Sequence, residues 1–166
     1  MKEANLLSTR LQQTFTKAEK YGPNLGEGSF HGPSLMEALE GVDEEMAKRY
    51  PIPGRHSVWE IANHCRFWME EFSNVLQGHD RKVIHNKEDW PPQGTTEDNW
   101  KKDLQRLKEA YNMLRHEIEK TSENELDDLT QSRFHEQTFT YTIRKMLYGA
   151  IDHNIYHAGQ ISILKK

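Results

Sequence analysis

Apolar residues recur along this chain at steps of three and four positions, which is the spacing of amphipathic α-helices. Alternation of apolar and polar residues, the pattern of a half-buried strand, is convincing in no segment. The pattern therefore predicts an all-α fold with five helices, at about residues 4–20, 34–50, 57–77, 100–118 and 138–164.

Capping signals and helix-breaking residues support these boundaries. Residues 34–37 read SLME and residues 57–60 read SVWE. In both, a serine is followed three positions later by a glutamate, which is the capping-box pattern of a helix start. Pro51 and Pro53 end the second predicted helix. The polar stretch 79–95, with its Trp-Pro-Pro sequence, predicts a loop.

The predicted helices suggest a bundle. We expect residues 30–166 to form a four-helix bundle, and residues 1–29 to add a short N-terminal helix and a loop, with that helix packed outside the bundle. A chain of 166 residues with 35% hydrophobic residues has the size of one ordinary domain with one buried core. The sequence therefore predicts a single domain.

Three histidines interrupt the apolar helix faces. His64 lies between Ile61 and Trp68 on the third helix, and His153 and His157 lie one turn apart on the last. A buried polar group without a partner costs about 1–3 kcal/mol, so each histidine needs one. Imidazoles at positions i and i+4 can bind one metal ion, but hydrogen bonds within the core would also satisfy them. Three histidine ligands would leave a coordination position for water or substrate, as in catalytic zinc sites.

Composition excludes several functional classes. A net charge of −4, with no cluster of Lys and Arg interleaved with aromatic residues, argues against nucleic-acid binding. No apolar run is long enough to span a membrane, and residues 1–20 do not resemble a secretory signal. Cys65 is the single cysteine, which excludes an internal disulfide. We therefore expect a soluble cytoplasmic protein that binds neither nucleic acid nor membrane.

Four segments of the chain carry a more specific pattern. They read HGPSL at residues 31–35, PIPGRHSVWE at 51–60, DWP at 89–91 and GAIDHNIYHAGQI at 149–161. Together they resemble the DinB/YfiT-like superfamily of helical-bundle metalloproteins, over nearly all the chain from Phe30 onward. In that family, the histidine after the SVWE-like segment and both histidines of the H-x-x-x-H helix are metal ligands. The resemblance therefore implies that one divalent ion, zinc or nickel, is held by His64, His153 and His157.

The resemblance also implies classes of activity and partner. Its precedents are metal-dependent hydrolysis, and transfer or isomerisation that depends on a low-molecular-weight thiol such as bacillithiol, mycothiol or glutathione. It further implies a small-molecule substrate and a homodimer. We favour thiol transfer, because the helix seams show no second carboxylate that would serve as a base. The alternative is a non-catalytic module of a stress response that binds metal or a small ligand.

Four more residues are candidates for the pocket or for supporting the metal ligands. Glu60 lies one turn before the first of the three histidines and would orient it or act as a base, although its place in the capping box also explains it. Gln160 lies on the seam of the last helix and would bind a ligand, support the metal, or be a buried amide bonded to backbone. His31 and His56 belong to the family-like segments and would line the pocket.

Overall fold

The computed structural model describes residues 2–17, 32–79, 83–84, 86–134 and 137–166. In chain order this part contains α1 (Glu3–Phe15), α2 (Leu35–Ala38), α3 (Glu44–Ala47), α4 (Val58–Leu76), β1 (Val83–Ile84), α5 (Asn86–Asp89), α6 (Glu97–Lys120), a 3-10 turn (Glu125–Asp127), β2 (Leu129–Phe134), β3 (Gln137–Thr142) and α7 (Ile143–Leu164). The long helices α1, α4, α6 and α7 confirm the predicted all-α class. None of the described helices combines the length and apolar character that crossing a bilayer requires.

The inner faces of the four long helices surround one apolar core. Helix α4 lies against α6 and α7, and α1 lies against the same two helices. The indole N–H groups in this core have acceptors: Trp59 donates to Asp103 at 2.8 Å, and Trp100 donates to the Val42 carbonyl at 3.1 Å. Both of these buried indoles thus have a hydrogen-bond acceptor. Its fully buried residues include Leu7, Leu11, Leu107, Leu114, Leu147 and Ile161.

Helix α1 is one wall of the bundle. Leu7 and Leu11 have 0% of their surface exposed, and the ring of Phe15 stacks on Tyr111 of α6 at 4.0 Å. The helix ends at Phe15, because Thr16 is extended with φ −84° and ψ 155°. The expected position outside the bundle is therefore wrong, although the predicted helix is present. The apolar residues whose spacing predicts the helix, such as Leu7 and Leu11, are the residues that it buries in the core.

The second predicted helix, residues 34–50, consists of two separate turns. Helix α2 begins with the predicted capping box, in which Ser34 and Glu37 each accept the backbone N–H of the other. Gly41 then takes a φ of 76°, in the left-handed region that favours glycine, and the side chain of Asp43 caps α3. The glycine and the cap break a helix that the apolar spacing alone predicts to be continuous.

Strands β2 and β3, which lie between α6 and α7 in chain order, form a small sheet with β1, which precedes α5. Strands β2 and β3 pair antiparallel, with Leu129 opposite Thr142, and β1 pairs parallel with β2. The apolar pattern does not predict these strands, and it assigns residues 138–142 to the last helix. Helix α7 instead begins at Ile143, with the Thr142 side chain as its cap. Residues 137–140 are exposed, so β3 has no buried face there whose alternation would mark a strand.

Candidate metal centre

The start of α4 positions His64. Ser57 Oγ accepts the Glu60 N–H at 3.1 Å, and the Glu60 carboxylate accepts the Ser57 N–H at 2.9 Å. Both halves of the predicted capping box are therefore present. The helix that begins there turns His64 into the bundle, where the residue is 5% exposed.

His153 and His157 reach the same point from α7. Their Nε2 atoms lie 3.0 Å apart, and the Nε2 atom of His64 lies 3.0 Å from that of His153. His157 is buried and His153 is half-buried. One nitrogen from each ring lies within 4.8 Å of the other two, so the three histidines could hold a metal ion. The structure thus brings together all three residues of the predicted ligand set.

The Nδ1 atoms of His64 and His157 each lie at hydrogen-bonding distance from an oxygen acceptor. His64 Nδ1 lies 2.7 Å from the backbone carbonyl oxygen of Asp89, and His157 Nδ1 lies 2.7 Å from Gln160 Oε1. A carbonyl oxygen only accepts, so both Nδ1 atoms carry the hydrogen and both Nε2 atoms present lone pairs. His153 Nε2 carries at most one hydrogen and can donate to only one of them. The cluster therefore has more lone pairs than hydrogens, and a cation would satisfy them.

Burial keeps His153 and His157 neutral. It lowers the pKa of His153 to about 2, with further lowering by the neighbouring His157 and His64. It also lowers the pKa of His157 to about 4, again helped by repulsion from His64. The neutral imidazole is the form that binds metals. At neutral pH these rings therefore offer their lone pairs to a metal rather than to protons.

The geometry and chemistry of the cluster fit a divalent transition ion. Four ligands around zinc at about 2.0–2.1 Å lie about 3.3 Å from one another in a tetrahedron. The two separations of 3.0 Å between Nε2 atoms differ from this value by a few tenths of an ångström. Imidazole nitrogens suit zinc and nickel, whereas magnesium and calcium prefer oxygen. Three such ligands leave at least one coordination position for solvent or substrate.

Asp89, the last residue of α5, contacts His64 at Nδ1, the ring nitrogen that is not directed at the other two histidines. Besides its backbone contact, its carboxylate Oδ1 lies 3.2 Å from His64 Nδ1 and accepts the indole N–H of Trp68 at 2.7 Å. A carboxylate in this position fixes the tautomer and orientation of a metal-binding histidine. The sequence reasoning missed this role. Residues 89–91 were part of the family resemblance, which was the only available signal.

A cavity of about 370 Å³ adjoins the cluster. His157 and Gln160 line it from α7, and His56 and Trp90 line it from the segments before α4 and after α5. Trp90 stacks on His64 with a centroid distance of 3.8 Å and on His56 with a distance of 3.6 Å. The two predicted pocket residues Gln160 and His56 thus lie at the cavity that reaches the histidine cluster.

The carboxylate of Glu60 is engaged in several contacts at once. It accepts hydrogen bonds from Ser57 N and, at 3.0 Å, from the Tyr50 hydroxyl, and it lies 3.2 Å from His56 Nδ1. Of the roles considered for Glu60, the cap is confirmed, and the side chain also orients His56. His31, the other predicted pocket residue, lies outside the described residues.

The residues that flank the histidines in sequence belong to the core or the surface. Cys65 is completely buried, and burial raises the pKa of its thiol, so it is no nucleophile. Asn154 is also buried and donates from Nδ2 to Thr14 Oγ1 at 3.2 Å, which links α7 to α1. Asp152 is exposed. None of these residues contributes a candidate metal ligand.

Comparison with known protein families identifies the family of the chain. A family model described as the DinB superfamily matches residues 31–161, a range that contains the three histidines, Asp89 and the residues named at the cavity. Helix α1 lies outside the matched range. No curated protein matches the chain.

Proposed function

Because the chain belongs to the DinB superfamily and its three clustered histidines could hold a metal ion, we propose that it is a metal-dependent transferase that acts on a low-molecular-weight thiol. Its cofactor would be one divalent ion, zinc or nickel, bound by His64, His153 and His157. A small electrophilic molecule would be the second substrate. We further propose that it acts as a homodimer, which sedimentation velocity of the purified protein would test.

The observation that carries the proposal is the convergence of three Nε2 atoms whose lone pairs outnumber their hydrogens. Gln160 accepts the Nδ1–H group of His157, and the Asp89 carbonyl accepts that of His64. The Nε2 lone pairs of both rings are therefore directed toward the same point. When bound there, a divalent ion with an open coordination position supplies Lewis-acid chemistry that lowers the pKa of a thiol or a water molecule. The protein residues themselves orient the ligands and shape the cavity.

The nearby carboxylates favour a thiol over water as the nucleophile. Asp89 accepts the Trp68 indole N–H, and Glu60 accepts hydrogen bonds from Tyr50 and Ser57. Both carboxylates therefore have positioning roles, and neither lines the cavity, where a base for hydrolysis of an ester or amide would have to lie. A thiol has an ordinary pKa of about 8.5 and loses its proton far more readily than water. Thiol transfer therefore depends less than hydrolysis does on a base supplied by the protein.

The proposed transfer balances without another reactant. The thiol sulfur forms a bond with an electrophilic carbon, the leaving group departs with the bonding electron pair, and the thiol proton passes to solvent. The cavity of about 370 Å³ lies within the range of small-molecule sites, and the aliphatic side chains of Ile61 and Leu164 are part of its lining. The substrates would meet at the end of this cavity formed by His157.

Metal analysis and an activity screen test the proposal together. Elemental analysis of untagged protein should give about one divalent ion per chain. His157→Ala should lose the ion. His116→Ala, which removes an exposed histidine of α6, should keep it.

Metal-replete protein is then screened for activity with pairs of a thiol and an electrophile, and with esters and amides. Turnover of a thiol pair that is lost in His157→Ala supports the proposal. Turnover of esters or amides alone would make water the nucleophile, and bound metal without any turnover would indicate a non-catalytic binding module.

A further inference from the structure

Arg55 stands at the rim of the cavity in a segment whose backbone is held on both sides. Its N–H donates to the Ile52 carbonyl at 3.2 Å, with Pro53 second in the turn and Gly54 third, at a φ of 73°. This is the residue pattern of a type II β-turn. Two residues after Arg55, Ser57 caps α4. The turn and the cap therefore fix where the arginine leaves the backbone.

Among the described residues that line the cavity, one carries a full positive charge and none is a carboxylate. Arg55 lines the cavity beside His56 and His157, and no Asp or Glu is among the described residues that line it. The Glu60 carboxylate, which lies 3.2 Å from Nδ1 of the lining residue His56, is already bonded to Ser57 and Tyr50. No described residue accepts a hydrogen bond from the Arg55 guanidinium, which is exposed. Arg55 is therefore the fixed charge that a ligand in this cavity would meet, although the chain as a whole has a net charge of −4.

The remainder of the lining is mostly apolar. Ile61, Ile163 and Leu164 contribute aliphatic surface, and Trp90 and Tyr156 contribute aromatic rings. The volume of about 370 Å³ lies near the lower end of the range for ligand pockets, about 300–1,000 Å³. A ligand that matches this lining is small, partly apolar and negatively charged at one end.

We infer that the cavity recognises a small organic anion, with its charged group on Arg55, its apolar part against the aliphatic side chains of the lining and its reactive group at the histidine cluster. The inference rests on the proposed function, because it names the chemical class of a ligand for the same site. A carboxylate suits the arginine, since a guanidinium can donate two parallel hydrogen bonds to it. Arg55 is thus a specificity-determining residue.

Two thiols of equal length test the inference. The probes are 3-mercaptopropionate, which ends in a carboxylate, and 3-mercaptopropan-1-ol, which ends in a neutral hydroxyl. In calorimetric titrations of metal-replete wild-type protein, the carboxylate thiol should bind about tenfold more tightly. Arg55→Gln should weaken its binding about fivefold to tenfold, as expected for loss of a charge-assisted hydrogen bond, and should leave binding of the alcohol unchanged.

Matched variants separate this contact from general charge effects. Arg49→Gln removes the same charge from an exposed arginine that does not line the cavity, and it should keep the preference for the carboxylate thiol. Arg55→Lys keeps the charge and should retain most of the preference, whereas Arg55→Glu should reverse it. Circular dichroism of each variant checks that it is folded.

Defined outcomes would overturn the inference. They are equal affinity of the two thiols for wild-type protein, binding of neither thiol, or equal effects of Arg49→Gln and Arg55→Gln. Metal analysis of the same samples distinguishes the two proposals. Wild-type protein that holds no metal refutes the proposed function, whereas metal-loaded protein that binds both thiols equally refutes only the anion preference.

Discussion

The backbone carbonyl oxygen of Asp89 lies 2.7 Å from Nδ1 of His64, and the carboxylate of the same residue lies 3.2 Å from that nitrogen. Asp89 thus contacts the histidine with both its main chain and its side chain. Because the carboxylate also accepts the Trp68 indole N–H, its position is fixed. The pair joins α4 to the end of α5, so the segment before α6 takes part in ordering the site.

Replacing Asp89 should weaken metal binding without unfolding the protein. Asp89→Asn removes the negative charge behind His64 but leaves an amide oxygen that can accept from Trp68. We expect metal affinity to fall about tenfold, the lower end of the effect of such supporting residues. Competition with a chromophoric chelator would measure it. Asp152→Asn, at an exposed position beside His153, is the control, and equal affinities of the two variants would contradict the role of Asp89.

A zinc-loaded crystal structure should show the predicted ligand set. We expect Nε2 of His64, His153 and His157 at about 2.0–2.1 Å from the ion, with solvent or a small ligand completing the coordination. The rings should move little, because two of their Nε2 separations are already 3.0 Å. Rings that remain metal-free and apart after soaking would exclude the site.

Removing the metal should leave the bundle folded. The apolar core contains fully buried residues on all four long helices, including Leu11, Trp59, Leu114 and Leu147, and none of these is a candidate ligand. We therefore expect a chelator to lower the melting temperature modestly and to leave far-UV helicity unchanged, unlike its effect on zinc fingers. Thermal unfolding before and after re-addition of zinc or nickel would measure this. Complete unfolding on chelation would make the site structural.

The metal-free protein should lose stability on mild acidification. The pKa of His153 is about 2 and that of His157 about 4 in the folded protein, both below the ordinary value of 6.5. Between pH 6.5 and pH 4 the unfolded chain therefore binds protons that the folded protein does not. The free energy of unfolding should fall with decreasing pH in this window, by up to about 1.4 kcal/mol per pH unit for each histidine, and these groups should have no effect above it.

Urea unfolding at several pH values would test this dependence. His153→Gln should reduce the slope between pH 6.5 and pH 4, because glutamine does not titrate. A wild-type stability that is flat across the window would show that the buried histidines accept protons in the folded state.

Helix α1 should contribute to stability as a core element. Leu7→Ala removes a completely buried side chain, and we expect a loss of about 2–5 kcal/mol in the free energy of unfolding. Leu6→Ala changes the adjacent residue, which is 46% exposed, and should cost less than about 1 kcal/mol. Chemical denaturation of both variants would measure the difference. Similar small losses would place α1 at the periphery.

Local spacing explains what the sequence could reveal. Steps of three and four residues predicted the long helices, and the Ser57–Glu60 capping box set the register that turns His64 inward. Positions i and i+4 placed His153 and His157 on one helix face. These features depend on residues within one or two helical turns, so a pattern in the chain is sufficient to find them.

Contacts between distant segments explain what the sequence could not reveal. Asp89 reaches His64 across 25 positions, and no local pattern links them. The burial of α1 depends on which helix faces remain uncovered after α4, α6 and α7 pack. Strands β2 and β3 were missed for a different reason. Residues 137–140 are exposed, so no alternation of apolar and polar residues marks a strand there.

The position of α1 has a practical consequence for work with recombinant fragments. The family match begins at residue 31, whereas α1 ends at Phe15. A fragment trimmed to the matched range would expose the apolar faces of α6 and α7 that α1 covers, and buried Asn154 would lose its hydrogen bond to Thr14. Because α7 carries His153 and His157, aggregation of such a fragment and poor metal loading would arise together, and both would be artefacts of the trimming.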